Sequence, residues 1–550
     1  MEAASLSRLR NLCRDYCAKH MHDSAMFLAD KLVTMSGGAA DDIYMLADVY
    51  FLTKQYRRAF HCLKRRKLHT SSLRFKLLAA QCQAELKQWD ECLAILGDSS
   101  EDDESPETNF RPVRSPDFNR MSVGSYVDGA SPVMMIIEET TSEDSASHSV
   151  NLQAALCLLR GRVYDALENR SRATHWYSEA VRKDPFCFEA FERLIDSHML
   201  TISEERELVS SLKITADDHW LKDLYLCKLK KYDTAAGDSI LQTLSALEQT
   251  ADLKGNVDVA VCKADTYYYR GDYQRCLDIT SSVLVQNDSY DTTCLPLHIV
   301  CLVELKRKND LFLCAHRLVE EHGDSAVAWY AVGCFYLLVG KYETARRYFS
   351  KATSLDQRFV PAWIGFGNAF AAQDETDQAM AAYRTASRLF PGLHLPLLYI
   401  GMEYLRTNNI NISHQFFQQA KQICPFDPLV YNELGVVAYV NGEFVEACKF
   451  LKEALSLISG VESTELILIN LGHTYRRLGD FKTAISYFEK ALSVNSRNAT
   501  TYSALGYSLH LMGQVDGAIE YYHKALSLKP DDTFTNDILQ RALDEEFGIG

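Results

Sequence analysis

Four side chains near the start of the chain have the chemistry to hold a metal: Cys13, Cys17, His20 and His22. The first three fall on one face of a helix, because residues four and then three apart lie nearly above one another. Zinc-finger ligand pairs are separated by a longer loop, so the spacing favours a packed thiol and surface imidazoles over a ligand set. Gly506-Tyr507-Ser508-Leu509-His510 approaches a nucleophile elbow but lacks its final glycine. Gly340-Lys341 lacks the upstream glycine and the following Ser or Thr of a phosphate-binding loop. Tyr267-Tyr268-Tyr269 could stack bases, yet no basic stripe accompanies it. The remaining histidines show no ligand spacing and are expected on the surface or in a groove. No set of nucleophile, base and orienting group can be assembled, so the sequence predicts no enzyme, no cofactor and no metal site.

The elements that carry these residues are bounded by composition. A chain of 550 residues with 47% apolar content exceeds the size at which one compact core stops growing, which predicts several domains or an elongated repeat. A formal charge of -15 argues against nucleic acid and against an anionic membrane, since both need a basic face. Proteins are the expected partners. The sixteen cysteines include no Cys-x-x-Cys pair and lie in apolar helical segments, as expected of core residues in a reducing compartment. Met1 to Leu12 lacks the apolar run of a signal peptide, and the longest apolar stretches, such as Leu295 to Val303, are interrupted by residues like His298. A soluble intracellular protein is expected.

One pattern recurs at about 34 residues. In the last copy it places Tyr502, Leu505, Gly506, Leu509, Ala518, Tyr522, Ala525 and Pro530; one period earlier stand Leu468, Leu471, Gly472, Tyr475, Ala484, Phe488 and Ala491. Further copies carry Gly435 with Ala447, Gly401 with Phe417, Trp363 with Gly367 and Tyr383, and Trp329 with Gly333 and Phe349. Weaker copies open the chain at Leu9, Leu12, Tyr16 and Ala25 and at Ile43, Leu46, Tyr50 and Ala59, and another holds Gly161 and Tyr177. Each copy fits two antiparallel helices, with the small residues expected to let the backbones approach and Pro391, Pro425 and Pro530 ending the second helix. The spacing is that of the tetratricopeptide repeat. The expected fold is all-α, a tetratricopeptide-repeat superhelix (α-solenoid) of about thirteen hairpins. It divides into N-terminal repeats (1–97), an acidic insertion (98–150), partly irregular middle repeats (151–323), C-terminal repeats (324–532) and a tail (533–550).

The insertion holds twelve acidic and three basic side chains, a net charge of -9, and is rich in Ser and Pro. It cannot bury enough apolar surface to offset ordering, so a flexible segment is expected. Ser105, Ser115 and Ser131 each precede proline, which makes them candidate phosphorylation sites. The apolar run Val133 to Ile137 reads as re-entry to the helices in preference to a docking motif.

A superhelix of this type exposes a groove lined by the first helix of each hairpin, at positions 2, 5, 9 and 12 of the repeat. These positions bring Leu395, Leu398, Met402 and Leu405 together with Leu429, Asn432, Val436 and Tyr439, and with Leu466, Ile469, His473 and Arg476. The lining is apolar enough to favour enclosing an apolar peptide or helix, with Asn368 and Asn432 placed to hydrogen-bond its backbone.

Asp42-Ile43-Tyr44, Tyr56-Arg57-Arg58-Ala59, Leu78-Ala79-Ala80-Gln81-Cys82, Tyr431-Asn432-Glu433-Leu434-Gly435-Val436 and Asn470-Leu471-Gly472-His473-Thr474-Tyr475-Arg476 mark the chain further. With the insertion after the third repeat, they resemble the sixth-subunit family of the anaphase-promoting complex, in a plant form. The resemblance implies a non-catalytic scaffold subunit of a ubiquitin ligase that controls mitotic exit, working in nucleus and cytoplasm. It implies a homodimer through the N-terminal repeats, contacts with neighbouring tetratricopeptide subunits, and a C-terminal groove enclosing the N-terminus of a small subunit. Asn368, Leu398, Met402, Asn432, Val436, Tyr439, Ile469, His473 and Arg476 are the candidate groove residues. The alternative is a co-chaperone or other peptide-binding adaptor that clamps acidic peptides, but this groove lacks the lysines such a clamp uses.

Overall fold

Apolar residues at three- and four-residue spacing, with proline among the described residues confined to helix starts and turns, leave little that could pair as strands. The computed structural model describes residues 3–97, 150–229, 237–286, 290–458 and 464–546. Among them, helices follow one another from Ala3–Ala18 to Thr533–Glu546 with no strand, forming fourteen successive pairs and one last helix. Ser105, Ser115, Ser131 and the run Val133 to Ile137 lie outside the described residues. The chain forms two compact units, Met1–Ala190 and Phe191–Gly550.

The repeat glycines show why the pattern needs them. A Cβ at Gly472 would lie 2.6 Å from the Phe488 ring, and one at Gly401 2.5 Å from the Phe417 ring. The space they leave is thus filled by the aromatic ring of the second helix. At Gly472 and Gly401 the glycine therefore makes room for a buried ring, whereas at Gly506 a Cβ would also stand 3.2 Å from the Ala518 carbonyl, so there the backbones approach closely as expected. Ala484 and Ala518, in the second helices, are fully buried.

The two helices of a pair are joined by a short turn closed by a left-handed residue. After Thr464–Arg477, Gly479 takes φ 83°, and Asp480 N–H donates to the Tyr475 carbonyl at 3.1 Å. This is the hydrogen-bond pattern that satisfies the last carbonyls of a helix. Lys306 and Asn408 hold the same conformation at the same place, with φ of 53° and 61°.

Two joints tie successive pairs. In the N-terminal unit, Arg10 grips the buried Asp42 through Nε at 2.7 Å and Nη2 at 2.9 Å. The guanidinium's hydrogen bond is the main cause holding the Asp42 carboxyl below the usual range. In the second unit His394 meets Asp427 Oδ2 at 2.6 Å, while Asp427 Oδ1 caps the helix Pro428–Val440 through Leu429 N–H at 2.8 Å. His394 is buried, and His298 packs half-buried in the core with Nδ1 3.0 Å from the Thr280 hydroxyl. These two histidines are structural, contrary to the expectation that all lie on surfaces or in grooves.

The last segment, expected as a tail, is a helix from Thr533 to Glu546. Its Ile538, Leu539 and Ala542 cover the open face of the last pair, and Thr535 donates to Ser503 at 2.8 Å.

Candidate partner-binding groove

The helices Val360–Ala371, Leu395–Arg406, Pro428–Val440, Thr464–Arg477 and Ala499–Leu511 succeed one another as the first members of their pairs in the second unit. Their candidate groove residues separate into two groups. Met402, Val436, Tyr439, Ile469, His473 and Arg476 are half-buried, so each keeps part of its surface available to a partner. Leu398 and Asn432 do not.

Leu398 has no exposed surface and packs with Phe417, Val430 and Leu434. Its assignment to the groove surface is corrected: the position faces the joint between two pairs, where neighbouring side chains close over it. Asn432 is 1% exposed and its amide is already engaged. Its Nδ2 donates to Glu433 Oε1 at 2.9 Å, and its Oδ1 accepts from Asn470 Nδ2 at 2.9 Å. Asn432 therefore stitches two first helices together in this structure. Asn368 is half-buried and accepts the Tyr383 hydroxyl at 2.6 Å.

The far end of the groove has a distinct electrostatic character. Burial, and then the neighbouring Arg476, push the His473 imidazole down to about 4, so it is neutral near pH 7; its ring meets Phe488 edge-on at 5.2 Å. The Arg476 guanidinium sits 5.0 Å from the Tyr507 ring centroid, a cation–π contact. It forms no salt bridge among the described residues, and burial lowers its pKa, which marks a partly desolvated cation.

Glu403, Tyr399 and Arg406 also face this surface and were missed from the sequence. They line a cavity of about 380 Å³ together with Asn368, Tyr383 and Met402. A carboxylate on the first helix beside an otherwise apolar groove position was the available signal.

The other candidates for chemistry are absorbed by the fold. Cys13 is fully buried, its Sγ donates to the Ala25 carbonyl at 3.5 Å, and burial pushes its thiol up to about 12. It is held as a thiol. His20 lies in the turn after the helix Ala3–Ala18 with φ 58°, so it does not continue the face of Cys13 and Cys17 as expected. No group of three metal-binding side chains gathers among the described residues. Ser508 donates back to the Ala504 carbonyl at 2.8 Å inside its helix. Tyr268 packs against Tyr269 and Tyr273, with ring centroids at 5.5 and 5.6 Å. No helix among the described residues is long and apolar enough to cross a membrane.

The chain is 44% identical to anaphase-promoting complex subunit 6 of Arabidopsis thaliana, over 99% of this chain and 98% of that one. The chain belongs to the anaphase-promoting complex subunit 6 family. The human cell division cycle protein 16 homolog is 40% identical, over 99% of this chain and 85% of its own length. Family models match as well: anaphase-promoting complex, cyclosome, subunit 3 over residues 18–99, and tetratricopeptide repeats over 326–359, 428–496 and 469–533. Among solved structures, a chain of the APC/C hetero-tetramer Cut9-Hcn1 superposes with a TM-score of 0.77 at 32% identity, over 99% of this chain and 97% of that one. Among its described residues, the subunit 6 family member is thus an all-α tetratricopeptide-repeat protein.

Proposed function

We propose that this chain is a non-catalytic scaffold subunit of an anaphase-promoting complex, the cullin–RING ubiquitin ligase of mitotic progression and exit. In this role its second unit encloses the N-terminal segment of a small partner, and its first unit pairs with a second copy. The observation that carries the reading is the run of half-buried Met402, Val436, Tyr439, Ile469 and Arg476 along successive first helices. A partner segment would cover this surface and supply the counter-charge that Arg476 lacks. The relationship to the Cut9-Hcn1 assembly supports the partner class. The packed state of Cys13, Ser508 and His394 supports a role without catalysis, since each candidate reactive group is spent on structure.

For pairing of two copies, the first unit exposes Met21, Phe27 and Met35 around its opening hairpin, with Phe27 63% exposed. Apolar side chains of this size left in water favour a self-complementary contact. Working in nucleus and cytoplasm, and phosphorylation at Ser105, Ser115 or Ser131, belong to the same proposal.

Affinity capture of the full chain from dividing cells, followed by mass spectrometry, tests the scaffold role. Cullin and RING subunits should be recovered; chaperones alone would replace the reading with the peptide-clamp alternative. Tyr439→Ala should weaken retention of the small partner at least tenfold with an unchanged melting temperature, whereas a lowered melting temperature with intact retention would reduce Tyr439 to a packing residue. Phe27→Glu in the full chain should halve the mass seen by light scattering. A wild-type chain that is monomeric at micromolar concentration would remove the pairing.

A further inference from the structure

Glu403 is 3% exposed, and burial is the main cause that raises its carboxyl above the usual range. Its Oε1 accepts from Arg406 Nη2 at 2.5 Å. Its Oε2 is buried without a hydrogen-bond partner of normal geometry; the Thr376 side chain stands near the carboxylate and works with Arg406 to lower its pKa, against the effect of burial. Buried acceptors are almost always paired, so an unpaired one on a cavity wall points to a group that is supplied from outside.

The cavity is the recess of about 380 Å³ that Glu403 lines with Arg406, Asn368, Tyr383, Tyr399 and Met402. Its charge is not balanced locally. Arg406 also donates to Asp374 Oδ1 and to the Ala371 carbonyl, both at 2.8 Å, so one guanidinium serves two carboxylates. Asp374 stands in solvent, which leaves Glu403 as the under-solvated anion. The Tyr399 ring forms another wall and stacks on Tyr383 at 5.3 Å. An acceptor short of one donor, a net negative charge and an aromatic wall together match a cation that brings its own N–H groups.

We propose that the recess beside Glu403 is a subsite for a basic side chain, Lys or Arg, of the segment that enters the groove. The assignment rests on the groove reading above and adds the chemistry of one contact. Glu403 is the recognition residue, and Arg406 positions its carboxylate. The nearby Glu433 is a natural contrast: it is also buried on a first helix, but its Oε1 is taken by Asn432, and it does not line the recess.

The test uses the full chain, with Hcn1 as the probe in calorimetric titration, alongside melting curves of the free chain. Glu403→Gln should raise Kd at least tenfold while leaving the melting temperature unchanged or higher, because the free chain loses an under-solvated charge and Arg406 keeps Asp374 and Ala371. One Lys→Gln or Arg→Gln substitution in Hcn1 should lose the same factor, and should lose nothing more when combined with Glu403→Gln. Unchanged Kd for Glu403→Gln overturns the assignment but leaves the groove intact. A lowered melting temperature with unchanged Kd likewise overturns it, reducing Glu403 to an internal partner of Arg406. Strictly additive losses for every basic residue of Hcn1 overturn it too. A wild-type chain that fails to bind Hcn1, under conditions where Cut9 binds it, removes the groove reading and this assignment together.

Discussion

Asn432 shows how one amide can serve the fold where a ligand contact was expected. With its donor on Glu433 and its acceptor on Asn470, Asn432→Ala strips both neighbours of a partner inside a largely buried joint. Leaving buried polar groups unsatisfied costs about 1–3 kcal/mol. A urea titration of the variant should therefore show a loss of that size, and a midpoint equal to wild type would show that water replaces the amide. His473 and His298 give a second effect of burial. Desolvation is the first cause holding both imidazoles down to about 4, well below the ordinary histidine value of about 6.5. Because the unfolded chain takes up a proton near 6.5 and the folded chain only near 4, stability from these groups is fully present above 6.5. It is lost as pH falls through that window, by on the order of 3 kcal/mol per group. Unfolding midpoints at pH 7 and pH 5 check this: His473→Gln should shrink the difference, and an equal difference in the variant would assign the pH dependence to other groups.

At the scale of the helix pair, the turn between helices is the repeating unit of strain and relief. Gly479 has φ 83° and open space around a built Cβ, so Gly479→Ala meets no neighbour and isolates the backbone penalty. A left-handed L-residue costs about 1 kcal/mol, which should appear as a small drop in melting temperature. Lys306→Gly should give a gain of similar size, and the absence of both effects would mean that the turns relax freely. Much of this element was legible in sequence. Gly472 with Phe488 and Gly401 with Phe417 repeat at fixed spacing because every pair solves the same packing problem, so one solution is printed many times. The groove was less legible because periodicity gives the face on which a residue lies and not its depth. Leu398 and Met402 share a face, yet neighbouring side chains close over Leu398 and leave Met402 half open. Glu403 was missed for the same reason: a carboxylate one position from the predicted face reads as solvated until the adjacent pair is seen to cover it. The final helix Thr533–Glu546 lies beyond the last full repeat, where the period stops giving guidance.

At the scale of the whole second unit, one contact departs from the rule that repeats touch only their neighbours. The turn before Leu395–Arg406 reaches back to the loop between Phe188–Asp196 and Ile202–Ser211, where Gly392 N–H donates to the His198 carbonyl at 2.8 Å. A Cβ at Gly392 would collide with the Leu200 carbonyl and stand 2.7 Å from that of His198, both rigid backbone atoms. Arg206 lies 5.6 Å from the Phe426 ring centroid and adds a second tie between the same regions. Glycine at 392 is thus required by close approach, and any side chain must push the two segments apart. Because Met402 and Glu403 sit on the helix that this turn launches, opening the contact should disturb the groove as well as the fold. Gly392→Ala in the full chain should speed amide exchange in residues 198–206 and 390–394, and should weaken retention of the small partner proposed above, while residues 3–97 exchange as before. Gly479→Ala serves as the control, since it strains a turn without touching this contact. Faster exchange at 198–206 in the Gly392 variant alone would establish the tie as part of the second unit's architecture. Wild-type exchange there with unchanged binding would show that the two segments merely lie side by side.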